Sequence, residues 1–519
     1  MIHRSQRPSI ELSGVALGEL VLRKTGVLRS KPALVDAASG RSVTFDELDE
    51  LVGRCAAGLH AHGFRREDVL ALYAPNAIEF VIAFHAAARL GGATTTINPL
   101  ATGDEALRQL VDSRARVLVA GEAQHERVVP LLPSTSVQRA FVLGASADAP
   151  SFTTLLGHGV RREQEDVDPA RDVVALPYSS GTTGLPKGVM LTHANLSANV
   201  LQLAGTGQFL RDDVELCVLP MFHIYGLVAI LNLNLHLGAT VVILPRFDLE
   251  GLLATLRDRR VTVAPLVPPI VLQLVKHPQL ARGALPALRT IMSGAAPLSA
   301  ELTTACEERL GVRVIQGYGM TESSPATHVT PLVGSVAGSA GALVGSTEMR
   351  LVDPEAGLDA GPGATGEVWV RGPQVMRGYL NQPEATRATV DAERWLHTGD
   401  LGRVDANGQL FVVDRLKELI KYKGFPVAPA ELEAVLVAHP AVLDAAVIPV
   451  PDDEAGEVPK AFVVRRAPVD AADLLAFVAE RVAPYKRVAV VEFVDAIPKS
   501  PSGKILRRVL VEAERARRA

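Results

Sequence analysis

Cysteine is nearly absent from this chain: Cys55, Cys217 and Cys306 are the three in 519 residues, far apart and without metal-ligand spacing. That excludes a disulfide scaffold and a thiolate metal centre, and the three read as buried thiols of a protein in the reducing cytoplasm. Aromatic residues are also few, at 4%, while hydrophobic residues reach 48% and charged ones 21%, which is a globular composition. Neither charge sign dominates, since 53 Lys and Arg against 57 Asp and Glu leave a net charge of -4. Such a balance gives no case for nucleic acid or an anionic membrane as main partner. No apolar run reaches the roughly 18 residues that a membrane span needs. Residues 227–245 come nearest and are broken by Asn232, Asn234 and His236. The start, Met-Ile-His-Arg-Ser-Gln-Arg-Pro, has charge but no apolar stretch of a signal peptide. The end, Arg-Arg-Ala, is not a peroxisomal address. Internal repeats and low-complexity tracts are missing too.

What is present is length for more than one domain, because single cores stop growing near roughly 250–300 residues. Strand and helix patterns alternate over the first 400 residues. The stripe Leu48, Leu51, Val52, Cys55 and Leu59 predicts a helix over 45–62 closed by Gly63, followed by a strand over 69–73, a helix over 78–90 and a strand over 93–97. This spacing predicts parallel sheets covered by helices, with further buried strands at 261–264 and 290–292. Past Val344 the texture changes to short strands with Gly and Pro turns, at 348–352, 366–370 and 409–413. The expected fold is therefore α/β: an N-terminal domain over 1–413, with a β-rich subdomain over about 345–413, then a small α+β domain over 414–519.

The segment Tyr178-Ser-Ser-Gly-Thr-Thr-Gly-Leu-Pro-Lys-Gly188 follows the apolar strand pattern Val173-Val174-Ala175-Leu176. Ser179, Ser180, Thr182 and Thr183 offer hydroxyls, Gly181 and Gly184 let backbone amides approach an anion, and Lys187 adds a mobile positive charge. A linker needs neither the preceding strand nor the Pro-Lys-Gly. It is not a P-loop of the Gly-x4-Gly-Lys-Ser/Thr kind, because Gly188 follows Lys187.

This loop resembles the signature of the adenylate-forming superfamily, which holds acyl-CoA synthetases, carrier-protein adenylation domains and beetle luciferases. The longer string from Tyr178 to His193 is most similar to 4-coumarate:CoA ligases. The resemblance implies a small C-terminal domain that is mobile, and ATP, Mg²⁺ and CoA as cofactors. Making an acyl-adenylate then requires held phosphates, a divalent ion, a fixed ribose and neutralised charge at the attack site. In Gln316-Gly-Tyr-Gly-Met-Thr-Glu322, Glu322 is a hard oxygen ligand for Mg²⁺, Thr321 can donate to the α-phosphate, and Tyr318 by resemblance stacks on adenine. Trp395-Leu-His-Thr-Gly-Asp400 supplies Asp400 as ribose clamp, with Arg415 as companion. In Ile497-Pro-Lys-Ser-Pro-Ser-Gly-Lys504 the resemblance makes Lys504 the lysine that bridges carboxylate and α-phosphate, presented on a flexible polar loop. Lys499, Arg507 and Arg508 read as ordinary solvated charges. In Asp414-Arg-Leu-Lys-Glu-Leu-Ile-Lys-Tyr-Lys-Gly424, Lys417 matches the family hinge, and Lys421 and Lys423 lie within reach of substrate or CoA phosphates. Plant ligases read Gly-Phe-Gln-Val next, whereas this chain has Gly424-Phe425-Pro426-Val427, so a polar contact of that glutamine has no counterpart.

For the acid, Met221-Phe-His-Ile-Tyr-Gly226 implies His223 as a gate to the acyl site and Tyr225 as a wall. Ala229, Gly294, Ala295, Gly317, Gly319, Pro325 and Ala326 are further pocket candidates whose small size leaves room for a flat ring or an alkyl chain. No Asp or Lys offers itself to a substrate amine. The expected activity is an ATP-dependent acid:CoA ligase acting on an aryl, cinnamic or medium- to long-chain acid. Three other readings share the motifs: an enzyme loading a free-standing acyl carrier protein, a luciferase-like oxygenase, and a non-catalytic nucleotide sensor. No room remains after the last motif for an attached carrier domain.

Overall fold

A computed structural model describes the chain except for residues 13, 25, 162, 180–185, 424, 453, 501–502 and 519. Helix starts are set locally. Thr44 accepts from the amide of Glu47 while the Glu47 carboxylate reaches back to Thr44, opening the helix Phe45–Ala61, and Gly63 leaves it at φ +91°. Thr102 with Glu105 and Thr192 with Asn195 repeat the device. The helix Ile78–Arg89 is apolar on nearly every face and is buried along its length, which places it between layers.

Among the described residues two large sheets build the N-terminal part. In one, the strands Ala93–Thr96, Val69–Tyr73, Val117–Gly121 and Arg139–Leu143 run parallel, and Lys187–Thr192 and Gly378–Tyr379 close one edge antiparallel. In the other, Arg313–Gly319, Thr290–Ser293, Val263–Leu266, Val214–Cys217 and Thr240–Ile243 lie side by side and parallel. The strand expected at 261–264 lies two residues further on. A β-branched run gives no period of its own, so the preceding turn sets where pairing begins. Glu348–Val352, Gly366–Arg371, Leu396–Val404 and Leu410–Arg415 form a separate antiparallel sheet, whose outer edge is covered by Ile2–Arg4.

Asp414 and Arg415 still pair with Leu401 and Asp400 in that sheet, and a turn at 416–418 leads out of it. The chain then builds a smaller sheet from Ile420–Tyr422, Phe425–Val427, Val442–Asp452, Gly456–Arg465 and Val490–Phe493, with its own apolar core around Ile420, Leu432, Leu436, Val447, Val463 and Leu474. The whole is mixed α/β with a large N-terminal and a small C-terminal domain. Among the described residues no helix is long and apolar enough to cross a membrane.

Candidate active site

Four neighbouring parallel strands end at one place. Leu219, Pro220 and His223 follow Val214–Cys217, Val267 follows Val263–Leu266, Ala295 follows Thr290–Ser293, and Glu322 follows Arg313–Gly319. Loops at the carboxyl ends of a parallel sheet form a natural crevice. A recess there is lined by Leu219, Pro220, His223, Tyr225, Gly226, Val267 and Ala295. Tyr225 opens a wide π-helical run, Tyr225–Asn232, of a kind found often at functional sites. Gly226 is required behind it, since a Cβ there would stand 2.2 Å from the Pro220 carbonyl oxygen. The Tyr225 ring packs against the Gly294 backbone, and its hydroxyl donates to the Met292 carbonyl at 3.3 Å.

The phosphate-loop residues Ser180, Gly181, Thr182, Thr183 and Gly184 lie outside the described residues; their flanks do not. The Ser179 hydroxyl donates to Glu322 Oε1 at 2.8 Å, and the Tyr379 hydroxyl donates to the same oxygen at 2.8 Å. Lys187 Nζ sits 4.9 Å above the Tyr379 ring, so the loop lysine and the buried Glu322 share one aromatic neighbour. Tyr379 was not among the expected residues: it lies in an ordinary Gly-Tyr-Leu strand end, without a motif to mark it. Tyr178 is tied back by a 2.6 Å bond to Asp112. Thr321 begins the short turn that carries Glu322.

Asp400 is buried, with both oxygens engaged. Tyr318 donates its hydroxyl to Oδ2 at 2.8 Å, and Arg415 Nε lies 3.0 Å from Oδ1. The pairing of 400 with 415 is set by the antiparallel register of the two strands that carry them. Burial pushes the Asp400 carboxyl above the usual carboxylate range, against the pull of Arg415, the Tyr318 hydroxyl and the Lys504 charge. Tyr318 links two neighbours: its ring lies 5.7 Å from that of buried His328, and its hydroxyl is on Asp400.

Lys504 is not presented to solvent as the loop composition led us to expect. It is half-buried, and lost hydration together with Arg415 pulls its ammonium below the ordinary lysine value, against Glu418 and Asp400. Gly503 beside it rests on Val267 of the recess, where a Cβ would come within 2.9 Å of Cγ2. His223 is lowered to about 4 by burial, with the Lys504 charge adding to the effect, and its Nδ1 accepts from the Tyr225 amide at 3.2 Å. The small domain's lysine therefore lies near enough to both Asp400 and His223 for its charge to act on each, and its neighbour Gly503 rests on Val267.

The reading of Arg507 and Lys499 as solvated charges is overturned. Arg507 is largely buried and bridges Glu418 at 2.5 Å and Glu433 at 2.7 Å, and Lys499 pairs with Asp444 at 2.5 Å. Arg508 is exposed as expected. A basic run at the head of a helix has one face turned inward, and composition alone does not say which residue faces in.

Other expected residues fall elsewhere. Lys417 is exposed in the turn between the two sheets. Lys421 and Lys423 are exposed on the small domain, the amide of Lys421 bonded to Glu457 and the amine of Lys423 paired with Glu454. Neither lysine contacts Glu322 or Asp400 among the described residues. Ala229 is buried within the π-helical run. Gly317, Gly319 and Ala326 belong to an antiparallel ladder next to the recess, in which Asn199 locks both the N–H and the C=O of Ala326; Pro325 precedes it. Pro426 pairs with Lys421 in a strand.

No cluster of three or more metal-binding side chains occurs among the described residues. A single buried carboxylate with two hydroxyls gathered on one oxygen fits Mg²⁺, which takes one or two carboxylates and completes its shell with phosphate oxygens and water.

Comparison with known proteins agrees with this architecture. A family model described as AMP-binding enzyme matches residues 23–380, and one described as AMP-binding enzyme C-terminal domain matches residues 431–504. The 4-coumarate-CoA ligase 5 of Oryza sativa subsp. japonica is 45% identical, over 98% of this chain and 96% of that protein. ATP-bound MatB from Rhodopseudomonas palustris superposes with a TM-score of 0.88 at 31% identity, over 96% of this chain and 99% of that one. The anthranilate CoA ligase AuaEII, solved with anthranoyl-AMP, gives a TM-score of 0.90 at 28% identity, over 97% and 98%. Matches of this extent, reaching both domains and the strand ends that form the crevice, make the chain a member of the AMP-binding enzyme family.

Proposed function

We propose that the protein is an ATP-dependent acid:CoA ligase that makes an acyl-adenylate and then an acyl-CoA thioester. The observation that supports this most is that the small domain brings Gly503 onto Val267 of the recess and places the Lys504 charge where it acts on both His223 and buried Asp400. In the first step a carboxylate oxygen of the acid attacks the ATP α-phosphorus, and the bond to pyrophosphate breaks. Lys504 neutralises the approach of two anions, and its short charge-bearing head suits a group that must later withdraw. Thr321 donates to the α-phosphate, Ser179 and Lys187 hold the outer phosphates with the rest of their loop, Tyr318 stacks on adenine, and Asp400 with Arg415 fixes the ribose. Glu322 would hold Mg²⁺, which when bound neutralises phosphate charge. In the second step the CoA sulfur attacks the acyl carbonyl carbon and AMP leaves. No side chain of this protein needs to act as a covalent nucleophile, and all three cysteines are buried.

The division between the steps is proposed to fall at Lys417, where an exposed turn joins the sheet of Asp400 to the sheet of the small domain. Lys421 and Lys423 would then serve the second arrangement, in which CoA phosphates arrive. The acid is proposed to be of the aryl or cinnamic type. The relatives named for 4-coumarate and anthranilate support this class. Reduced, buried thiols support a cytoplasmic setting.

The test is pyrophosphate release with ATP and Mg²⁺ over aryl, cinnamic and C6–C18 fatty acids, with and without CoA. Formation of AMP and an acyl-CoA from an aryl or cinnamic acid is the expected result. Acyl-AMP that forms and never reaches CoA would instead assign a carrier protein as acceptor, and silence across the panel would refute the ligase.

A further inference from the structure

Residues 503–506 are tied to residues 498–500. The Ser500 amide donates to the Lys504 carbonyl at 2.8 Å, the Gly503 amide to the Ser500 carbonyl at 2.8 Å, and the Lys504 amide to the Ser500 hydroxyl at 3.1 Å. Lys499 bridges Ile505, and the Leu506 amide donates to Pro498 at 2.9 Å. These bonds couple the Lys504 backbone to Pro498, Lys499 and Ser500, so its placement depends on where these two strands of chain are anchored. The next residue after Leu506 is Arg507, first in the helix Arg507–Arg518.

Arg507 is held from two sides. One arm of its guanidinium donates to Glu418 at 2.5 Å and the other to Glu433 at 2.7 Å. Glu433 lies on the helix Pro429–Ala438, and its other oxygen accepts from the Val447 amide at 2.8 Å, which fixes it to the core of the small domain. Glu418 closes the turn that leaves the strand of Arg415. Charges therefore alternate from the ribose clamp into the small domain: Asp400, Arg415, Glu418, Arg507, Glu433. The Lys504 ammonium feels four of them, drawn by Asp400 and Glu418 and opposed by Arg415 and Arg507.

We infer that Arg507, clamped between Glu418 and Glu433, is a positioning residue that aims Lys504 for the adenylation half-reaction. It does not touch substrate. It ties the hinge turn to the lysine loop, so that the turn's conformation and the placement of Lys504 change together. This rests on Lys504 acting in adenylation, as proposed above.

The experiment compares the two half-reactions in the full-length protein: acyl-AMP formation from 4-coumarate, or the panel acid that turns over fastest, and thioester formation from the matching supplied acyl-AMP with CoA. Arg507→Ala is expected to lower kcat of adenylation about tenfold or more with the KM for ATP within about twofold, and to leave the thioester step within about twofold. Arg507→Lys should recover part of the loss, because one arm of the clamp survives. Glu418→Gln, which leaves the Glu433 arm in place, should move adenylation in the same direction and serves if Arg507→Ala does not fold. Lys504→Ala run alongside separates the two ideas. If Lys504→Ala spares adenylation, the reading of Lys504 itself fails. If Lys504→Ala is selective while the Arg507 and Glu418 variants slow both half-reactions equally, or neither, the positioning role is overturned.

Discussion

Gly294→Ala is a substitution of one methyl group aimed at the wall of the acid recess. The new Cβ would stand 2.9 Å from Tyr225 Cε1, 3.2 Å from Cζ and 3.4 Å from the hydroxyl oxygen. Carbon atoms in contact prefer about 3.5–4.0 Å, so the near edge of the ring must retreat by roughly 0.6 Å or more. Retreat is obstructed, because Tyr225 is buried and its neighbour Gly226 already touches the Pro220 backbone. It would also stretch the 3.3 Å bond from the Tyr225 hydroxyl to Met292. Overpacking of this kind costs about 1–3 kcal/mol. If the ring gives way into the recess, that cost is taken from acid binding, a loss of about 5- to 150-fold. The assay is ATP–pyrophosphate exchange against acid concentration. The KM for acid is expected to rise within that range, while the KM for ATP stays within about twofold. Replacing the ring should relieve the clash, so Gly294→Ala combined with Tyr225→Leu should bind acid better than the two single effects multiplied together predict. An unchanged KM for acid in Gly294→Ala, or strictly multiplicative effects in the double variant, would refute the reasoning.

Tyr379→Phe removes one of the two hydroxyls on the buried Glu322 oxygen. A hydrogen bond to a charged group contributes about 1.5–3 kcal/mol, so adenylation should fall by about 10- to 150-fold with little change in the KM for acid; full activity would remove Tyr379 from the site. Glu322→Gln should slow adenylation about 100-fold or more and raise the Mg²⁺ concentration needed for half-maximal rate, as read from a Mg²⁺ titration of pyrophosphate exchange. An unaltered Mg²⁺ dependence would dissociate Glu322 from the metal. Lys504 loses its proton below the ordinary lysine value of about 10.4, mainly because it is desolvated, with Arg415 adding to this. Only its charged form assists, so adenylation should decline as pH rises through that lowered value, whereas the thioester step should lack this limb. Glu418→Gln removes a charge that holds the proton on and should move the limb to lower pH, and the same limb in both half-reactions would contradict the assignment. His223, lowered to about 4, is neutral from about pH 6 upward, so no histidine limb should appear in the pH profile for the acid there, and one near pH 6.5 that is lost in His223→Ala would show the imidazole to be exposed.

Short-range features were legible in the chain as written. The helical stripe closed by Gly63, the apolar strand runs and the glycine-punctuated motifs are encoded within a few residues, because they depend on backbone hydrogen bonds and φ values that each residue type favours or forbids. The roles proposed for Glu322, Asp400 and Lys504 likewise start from residue type, motif and resemblance. Partnership does not. Tyr379 reaches Glu322 across 57 residues, and Asp400 meets Arg415 only because two antiparallel strands adopt one register rather than its neighbour. Arg507 looks like any basic residue near a polar terminus, yet the helix turns it toward two carboxylates from separate elements, while Arg508 faces solvent. Sequence alone determined which groups this protein possesses and where local structure begins and ends, since those follow from properties of single residues and their near neighbours. The tertiary structure decided which buried charges are paired, which lysine is desolvated and which ring closes the acid recess, because burial and register are properties of the packed chain as a whole.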